Sequence, residues 1–182
     1  DMPAILREFP KAKVTFNLTP SLLWQIRDMV ENEHSYDLFM VMTFRNAAEL
    51  NEEDKLFLLR NFFSCPPETA IYPLPKYREL YERRGEDIHP NVLAEKVQAF
   101  SDQDYRDLQV LFNLAWCGYT LRAKDKLIRQ LIEKGSGYTE DDKKALLRKQ
   151  RDVMALIIPA YRELLDNGQA EITTTPYYPP IL

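Results

Sequence analysis

The fold of this chain is decided by residues 166–178, which have the sequence DNGQAEITTTPYY. Asn167-Gly168 is typical of a helix end, because glycine adopts left-handed backbone angles without steric cost. The β-branched residues that follow predict a strand over residues 170–174. A helix, a tight turn and a strand therefore succeed one another, and Glu171 lies close to the start of the strand.

A second strand is predicted over residues 13–17, which have the sequence KVTFN. Each strand follows a helix and a polar turn, and the long segment between the strands is predicted to be helical. Parallel strands need a crossover of only about a dozen residues. We therefore predict a mainly α-helical chain with two parallel β-strands, which belong to a larger sheet or barrel and enclose an inserted helical subdomain.

Capping residues and prolines divide the chain into helices. Asn51, Ser101 and Thr139 are predicted N-caps, and Thr139 opens a capping box. Pro159 predicts a kink in the last and longest helix. The predicted helices cover residues 3–9, 20–33, 37–44, 52–63, 76–84, 102–116, 121–134 and 140–166.

The composition is that of an ordinary globular protein and argues against some function classes. The chain has 182 residues, of which 45% are apolar and 29% charged, and its formal net charge is −4. An acidic chain is not expected to bind nucleic acid or an anionic membrane. The sequence has no apolar run of about 18 residues and no signal-peptide pattern, so we predict a cytoplasmic protein.

Few residues are available for metal or nucleophile chemistry. Cys65 and Cys117 lack CxxC spacing, which favours buried thiols in a reducing compartment over a metal site or a disulfide. The two histidines, His34 and His89, are interpreted as surface residues rather than ligands. We therefore predict no metal site, no catalytic pair within these residues and no cofactor.

Four phrases of the sequence occur in an order that resembles a known enzyme family. They are VTFNLTPSLL at residues 14–23, SDQDYRDLQVLFNLAW at 101–116, EKGSGYT at 133–139 and GQAEITTTPYY at 168–178. Together they resemble the amino-terminal catalytic region of family 57 glycoside hydrolases, of the amylopullulanase and α-amylase type. The phrase that begins at Gly168 is similar to the family's second motif, Gly-Gln-x-Glu followed by β-branched residues.

The resemblance implies a fold and an activity. Members of the family have an incomplete barrel of seven β/α units and act on α-linked glucans by hydrolysis or transfer. They retain anomeric configuration through a Glu nucleophile and an Asp acid/base, whose motifs would follow Leu182, while the first motif would precede Asp1. The chain would then be a segment of a partial (β/α)7 barrel, with barrel elements at 1–35 and 165–182 and a helical insert at 36–164.

Glu171 is the residue that the resemblance assigns to the substrate, because the family's Gly-Gln-x-Glu glutamate is associated with substrate binding. A carboxylate can accept hydrogen bonds from sugar hydroxyls and orient the ring. The alternative is that Glu171 pairs with a neighbouring Lys or Arg. Barrel active sites lie at the carboxyl ends of strands, whereas the sequence places Glu171 near a strand start.

Three aromatic residues are further candidates for substrate binding. Tyr177 and Tyr178 follow the second strand, where a barrel mouth is expected, and Trp116 ends an amphipathic helix. Aromatic faces can cover the C–H face of a sugar, but packing in the core is the alternative interpretation for all three. Many relatives carry a polar residue after the tyrosine pair, where this chain has Pro179, so a substrate contact is lost there.

Two acidic clusters resemble paired catalytic carboxylates, at residues 52–54 and 140–142. Both are predicted in first turns of helices, where carboxylates favour the positive end of the helix dipole. The expected partners are an α-glucan or oligosaccharide and the remainder of the barrel, and exposed strand edges favour self-association. The alternative function is a stand-alone helical interaction or carbohydrate-binding module without catalysis.

Overall fold

The computed structural model describes residues 1–32 and 36–178, and the chain divides into two compact units. The strand unit comprises residues 1–36 and 148–182, and the helical unit comprises residues 37–147. The predictions that lie outside the described residues concern Glu33, His34 and Pro179.

The predicted fold class is confirmed at the level of secondary structure, because the described chain is mainly helical with two parallel strands. The predicted boundaries of barrel elements and helical insert refer to the complete barrel and stay a prediction. Among the described residues, no helix combines the length and the apolar character that crossing a lipid bilayer requires.

The strand unit contains both strands and the helices that flank them in sequence. Its elements are α1 (Met2–Leu6), β1 (Val14–Asn17), α2 (Pro20–Glu31), the last part of α10 (Glu140–Ala155), α11 (Ile157–Asp166) and β2 (Ala170–Thr173). The two strands pair in parallel, with Val14 opposite Ala170 and Thr15 opposite Glu171. Glycine is required in the turn before β2, because Gly168 has a φ of 67°.

The helical unit packs a single core around one buried helix. Its elements are α3 (Leu38–Phe44), α4 (Glu52–Asn61), α5 (Pro75–Arg84), α6 (Pro90–Val97), α7 (Asp102–Ala115), α8 (Tyr119–Lys124), α9 (Lys126–Lys134) and the first part of α10 (Glu140–Ala155). Residues 107–114 of α7 are all buried. The ring centroids of Phe62 and Phe112 lie 4.4 Å apart, and Phe39 stacks on both rings.

The three predicted N-caps are confirmed. Asn51 and Ser101 each form a capping box with an aspartate three residues later. The Thr139 hydroxyl accepts from the Asp142 N–H at 3.1 Å, and the Asp142 carboxylate accepts from the Thr139 N–H at 2.8 Å. These reciprocal bonds satisfy amide groups that have no partner inside the helix.

Two predicted helices are each divided in the structure. The prediction of one helix over 121–134 is wrong, because the Asp125 carboxylate accepts from the Ile128 N–H at 3.0 Å and starts a new helix. The long helix predicted to Asp166 breaks at Leu156. Pro159 has no N–H to donate to the carbonyl of Ala155, four residues earlier, and the proline ring would clash with that carbonyl in a regular helix. The break therefore falls one turn before the proline.

The helix α6 was not predicted from the sequence. His89 is its N-cap, and its Nδ1 accepts from the Asn91 N–H at 3.3 Å. Pro90 takes the first helical position, where its missing N–H costs nothing. Histidine is an uncommon N-cap, so the local pattern before Pro90 resembles a loop. The interpretation of His89 as a surface residue is confirmed, because it is exposed.

Asp104 is the centre of a partly buried ion-pair cluster in the helical unit. Its carboxylate contacts Lys76 Nζ and Arg83 Nη1, both at 2.9 Å, and accepts from Ser101 at the start of α7. Burial by itself raises the pKa of Asp104, but the hydrogen bonds from Lys76, Ser101 and Arg83 outweigh burial and hold the pKa well below its usual range.

We predict that Asp104→Asn destabilises the helical unit by about 2 kcal/mol at neutral pH, because two cations and the helix cap lose a charged acceptor. The folded pKa lies below the unfolded one, so this stabilisation is present above the unfolded value and is lost as pH falls. Urea unfolding should therefore show wild type and variant converging below about pH 4. Asp102→Asn, an exposed change on the same helical turn, is the control, and an equally large pH-dependent loss there would contradict the assignment.

Candidate functional site

The strand pair presents one apolar face and one polar face. Side chains alternate along both strands. The apolar face carries Phe16, whose ring meets the edge of Tyr161 on α11 at a centroid distance of 5.0 Å. The exposed polar face consists of Thr15, Asn17, Glu171 and Thr173. Helix packing on one side thus leaves a row of hydroxyl, amide and carboxylate groups on the other.

Gln169 anchors the start of β2 and is itself buried, with 6% exposure. Its Nε2 donates to the carbonyl of Leu6 at 2.7 Å and to the carbonyl of Phe9 at 2.9 Å. The helix α1 ends at Leu6, earlier than the predicted Phe9, so these carbonyls accept only turn bonds from the Phe9 and Ala12 N–H groups and can also accept from Gln169. Gln169 therefore fixes the turn after α1 against the strand that carries Glu171.

Glu171 is the second residue of β2, near the strand start as predicted, and its side chain is exposed. Its Oε2 accepts from the Thr15 hydroxyl at 3.4 Å, across the strand pair. The alternative of an ion pair is not observed, because within residues 1–32 and 36–178 Glu171 has no Lys or Arg partner. Most of its hydrogen-bonding capacity is thus open to a ligand.

A shallow pocket of about 420 Å³ adjoins Glu171 at the amino ends of the strands. Its polar lining includes Lys13, Thr15, Gln169 and Glu171. The Lys13 ammonium group donates to the carbonyl of Gly168 and covers the turn before β2. The polar face extends from this pocket towards Asn17 and Thr173, which lie at the carboxyl ends of the strands.

The three aromatic candidates are all exposed to solvent. Tyr177 and Tyr178 follow β2 and contact each other edge to face, with ring centroids 4.7 Å apart. Tyr178 is 84% exposed and Trp116 is 60% exposed, so neither ring is packed in a core of the described structure. Tyr177 and Tyr178 share the strand unit with Glu171, whereas Trp116 belongs to the helical unit.

Comparison with protein-family models shows to which family this chain belongs. The family model for glycosyl hydrolase family 57 matches residues 41–182. The chain belongs to glycosyl hydrolase family 57. This is a family of glycoside hydrolases that generally act on α-glucans, so a carbohydrate is the expected substrate class. No curated protein and no solved structure matches the chain.

The family 57 match includes the Gly-Gln-x-Glu motif at residues 168–171. The structure gives separate tasks to these residues. Gly168 makes the turn, Gln169 fixes the strand start, and Glu171 projects from the exposed face.

Sequence reasoning did not single out Thr15 and Thr173, which share the exposed face with Glu171. Each residue has an unremarkable local pattern, because threonine is common in strands of any kind. The alternation of side chains along each strand was the available signal, because it places Thr15 and Asn17 on one face, and Glu171 and Thr173 on one face. The register that places Thr15 opposite Glu171 joins distant segments and cannot be obtained from either strand alone.

The acidic clusters of this family 57 chain hold the helical unit together. Glu140 accepts from Arg106 at 2.8 Å and pairs with the buried Lys143 at 2.7 Å. Lys143 also donates to Gln109 Oε1 at 2.9 Å. Asp54 closes the capping box of α4 and pairs with Arg45. The interpretation of these carboxylates as helix first-turn residues is confirmed.

Metal-binding and thiol chemistry have little support in the described structure. Among residues 1–32 and 36–178, no group of three His, Cys, Asp or Glu side chains could hold a metal ion. Cys65 and Cys117 are free thiols. Burial raises the pKa of the Cys117 thiol to about 11, which makes it a poor nucleophile at neutral pH.

We predict that Gln169→Leu loosens the strand pair, because the carbonyls of Leu6 and Phe9 lose the side-chain donor that ties them to β2. A loss of about 1–2 kcal/mol corresponds to roughly 5–30-fold faster amide exchange. The Val14 N–H donates to the Gln169 carbonyl in the turn before β2, and the Leu18 N–H donates to the Thr173 carbonyl on β2. Hydrogen exchange of these two amides measures the effect. Gln25→Leu, an exposed change on α2, is the control. Unchanged exchange in Gln169→Leu would contradict the anchoring role.

Proposed function

We propose that this chain is the substrate-positioning segment of a retaining glycoside hydrolase of the amylopullulanase or α-amylase type. The reaction is hydrolysis or transfer of α-glucosidic bonds through a covalent glycosyl-enzyme, with the nucleophile and acid/base supplied by other parts of the polypeptide. The observation that carries the proposal is the exposed polar face of the strand pair, with Glu171 largely unpaired, in a family 57 chain.

The chemistry of the polar face suits a sugar. Hydroxyl groups both donate and accept hydrogen bonds, and the face offers a carboxylate acceptor beside threonine hydroxyls and the Asn17 amide. The Thr15 bond to Glu171 is long, at 3.4 Å, so the carboxylate can exchange it for shorter bonds to sugar hydroxyls. Charge-assisted bonds of this kind are stronger than neutral ones and fix the ring's orientation.

The strand unit also exposes apolar side chains that a complete barrel can cover. Every buried apolar side chain in the described ranges belongs to the helical unit, apart from Leu164 and Ala170. In the strand unit, Leu22, Trp24 and Leu156 are more than half exposed. Exposed apolar surface marks contact regions. We assign it to the remaining β/α units of the barrel, which would also pair with the open strand edges.

The exposed aromatic residues supply the second element of sugar recognition. Tyr177 and Tyr178 present a joined aromatic surface beyond the carboxyl end of β2, the end at which barrel active sites lie. An aromatic ring covers the apolar C–H face of glucose while the polar groups bind its hydroxyls. We propose that the two tyrosines hold a sugar ring, and that Trp116 provides a further stacking surface on the helical unit.

Activity of the full reading frame on malto-oligosaccharides tests the role of Glu171. We predict that Glu171→Gln lowers kcat/KM roughly 10- to 100-fold, because a charged acceptor to sugar hydroxyls is lost. Reducing-sugar release measures the rate. Asp166→Asn, an exposed carboxylate change five positions earlier, should leave kcat/KM within about twofold of wild type.

Two outcomes would contradict this proposal. Wild-type kcat/KM in Glu171→Gln would remove the carboxylate from substrate binding. Absence of hydrolysis and transfer by the full reading frame, together with binding of malto-oligosaccharides, would favour a carbohydrate-binding module without catalysis.

A second prediction concerns stacking by Tyr178. Its ring is 84% exposed, so replacement should not unfold the protein. Tyr178→Ala should raise KM for malto-oligosaccharides about three- to tenfold, whereas Tyr178→Phe should stay near wild type, because stacking uses the ring and not the hydroxyl. An equal rise in KM for both variants would instead indicate a hydrogen bond from the phenol. An unchanged KM in both variants would remove Tyr178 from sugar binding.

A further inference from the structure

The helical unit contains a pocket that the proposed active-site face does not use. It lies between α4 and α6 and has a volume of about 500 Å³. Leu56, Phe57 and Leu93 provide an apolar lining, and the other lining residues are Glu53, Arg60, Asn61 and Pro90. A volume of this size is within the range of small-molecule sites, which commonly combine an apolar floor with a few polar groups.

The polar groups of this pocket are available to a ligand. Glu53 and Arg60 are exposed, and neither has a hydrogen-bond or ion-pair partner in the described part of the chain. Asn61 donates its amide to the Phe57 carbonyl at 2.8 Å, which fixes the side chain and leaves its Oδ1 without a described partner. The pocket thus offers acceptor oxygens on Glu53 and Asn61, and several N–H donors on Arg60.

The arrangement of charge narrows the class of ligand. Glu53 and Arg60 carry opposite charges, so the lining has no net charge that would select a simple anion or cation. The two residues are seven positions apart on α4, about 10 Å along the helix axis. A free amino acid has its opposite charges much closer together and does not match this spacing. A neutral ligand with many hydroxyls and an apolar face matches both the charges and the floor.

We propose that this pocket is a second, non-catalytic carbohydrate site that binds one or two α-linked glucose units of a malto-oligosaccharide. The sugar's C–H face lies on Leu56 and Phe57, Arg60 donates to its hydroxyls, and Glu53 and Asn61 accept from them. The choice of α-linked glucose rests on the proposed function, while the pocket and its lining do not. Such a site holds a long glucan on the enzyme and raises the effective concentration of the glucan at the active site.

Titration of the ¹⁵N-labelled full reading frame with maltotriose tests the inference. Amide resonances of Phe57, Asn61 and Leu93 should shift on addition of sugar up to about 10 mM, and cellotriose should shift them less. Arg60→Ala and Glu53→Ala should each raise Kd about tenfold, because each removes a charged hydrogen-bonding group. Both positions are exposed, so neither change should prevent folding.

Matched substitutions separate this site from general effects of charge. Arg129→Ala on α9 and Glu52→Ala on α4 remove exposed charges outside the pocket and should leave Kd unchanged. Glu171→Gln should also leave the maltotriose shifts of α4 and α6 unchanged, which distinguishes this site from the strand face. Absence of shifts at α4 and α6, or wild-type Kd in both Arg60→Ala and Glu53→Ala, would overturn the inference. Neither result would affect the test of Glu171 by activity.

Discussion

The parallel pairing of β1 with β2 is the constraint on which the candidate site depends. Thr15 and Glu171 are 156 positions apart, yet they lie opposite each other across two short strands. Two strands alone form a marginal sheet, and closing so long a loop costs conformational entropy. The buried Gln169 offsets part of this cost by binding two carbonyls of the first segment. A site residue two positions later is thereby held in a fixed register.

The two units bury their apolar residues to very different degrees, and this difference has functional consequences. The helical unit has a continuous aromatic and aliphatic core around α7, reinforced by the buried Lys143 and the Asp104 cluster. The strand unit covers only one face of its sheet, through contacts such as Phe16 with Tyr161. The polar face of the strand pair is exposed in the described structure, which the carbohydrate contact that we propose requires. The larger buried core therefore belongs to the helical unit, and the proposed Glu171 contact belongs to the strand unit.

Two surfaces of this family 57 chain combine polar hydrogen-bonding groups with apolar or aromatic contacts. The strand face places the Glu171 carboxylate among threonine hydroxyls, with a tyrosine pair beyond the strand end. The pocket between α4 and α6 places Glu53 and Arg60 beside an apolar floor. Carbohydrates have both hydroxyl groups and C–H faces, so both surfaces have a chemical basis for binding them. They differ in origin, because one is built on a strand pair and the other on packed helices.

The sequence by itself determined the features that depend on near neighbours. Capping by Asn51 and Ser101, the break near Pro159 and the turn at Gly168 each involve atoms within about one helical turn, so local patterns predicted them. Only the tertiary structure decided that Thr15 lies opposite Glu171, that Trp116 is exposed, and that α4 and α6 enclose a pocket. These features depend on contacts between segments far apart in the chain, and periodicity within one segment does not specify its partner.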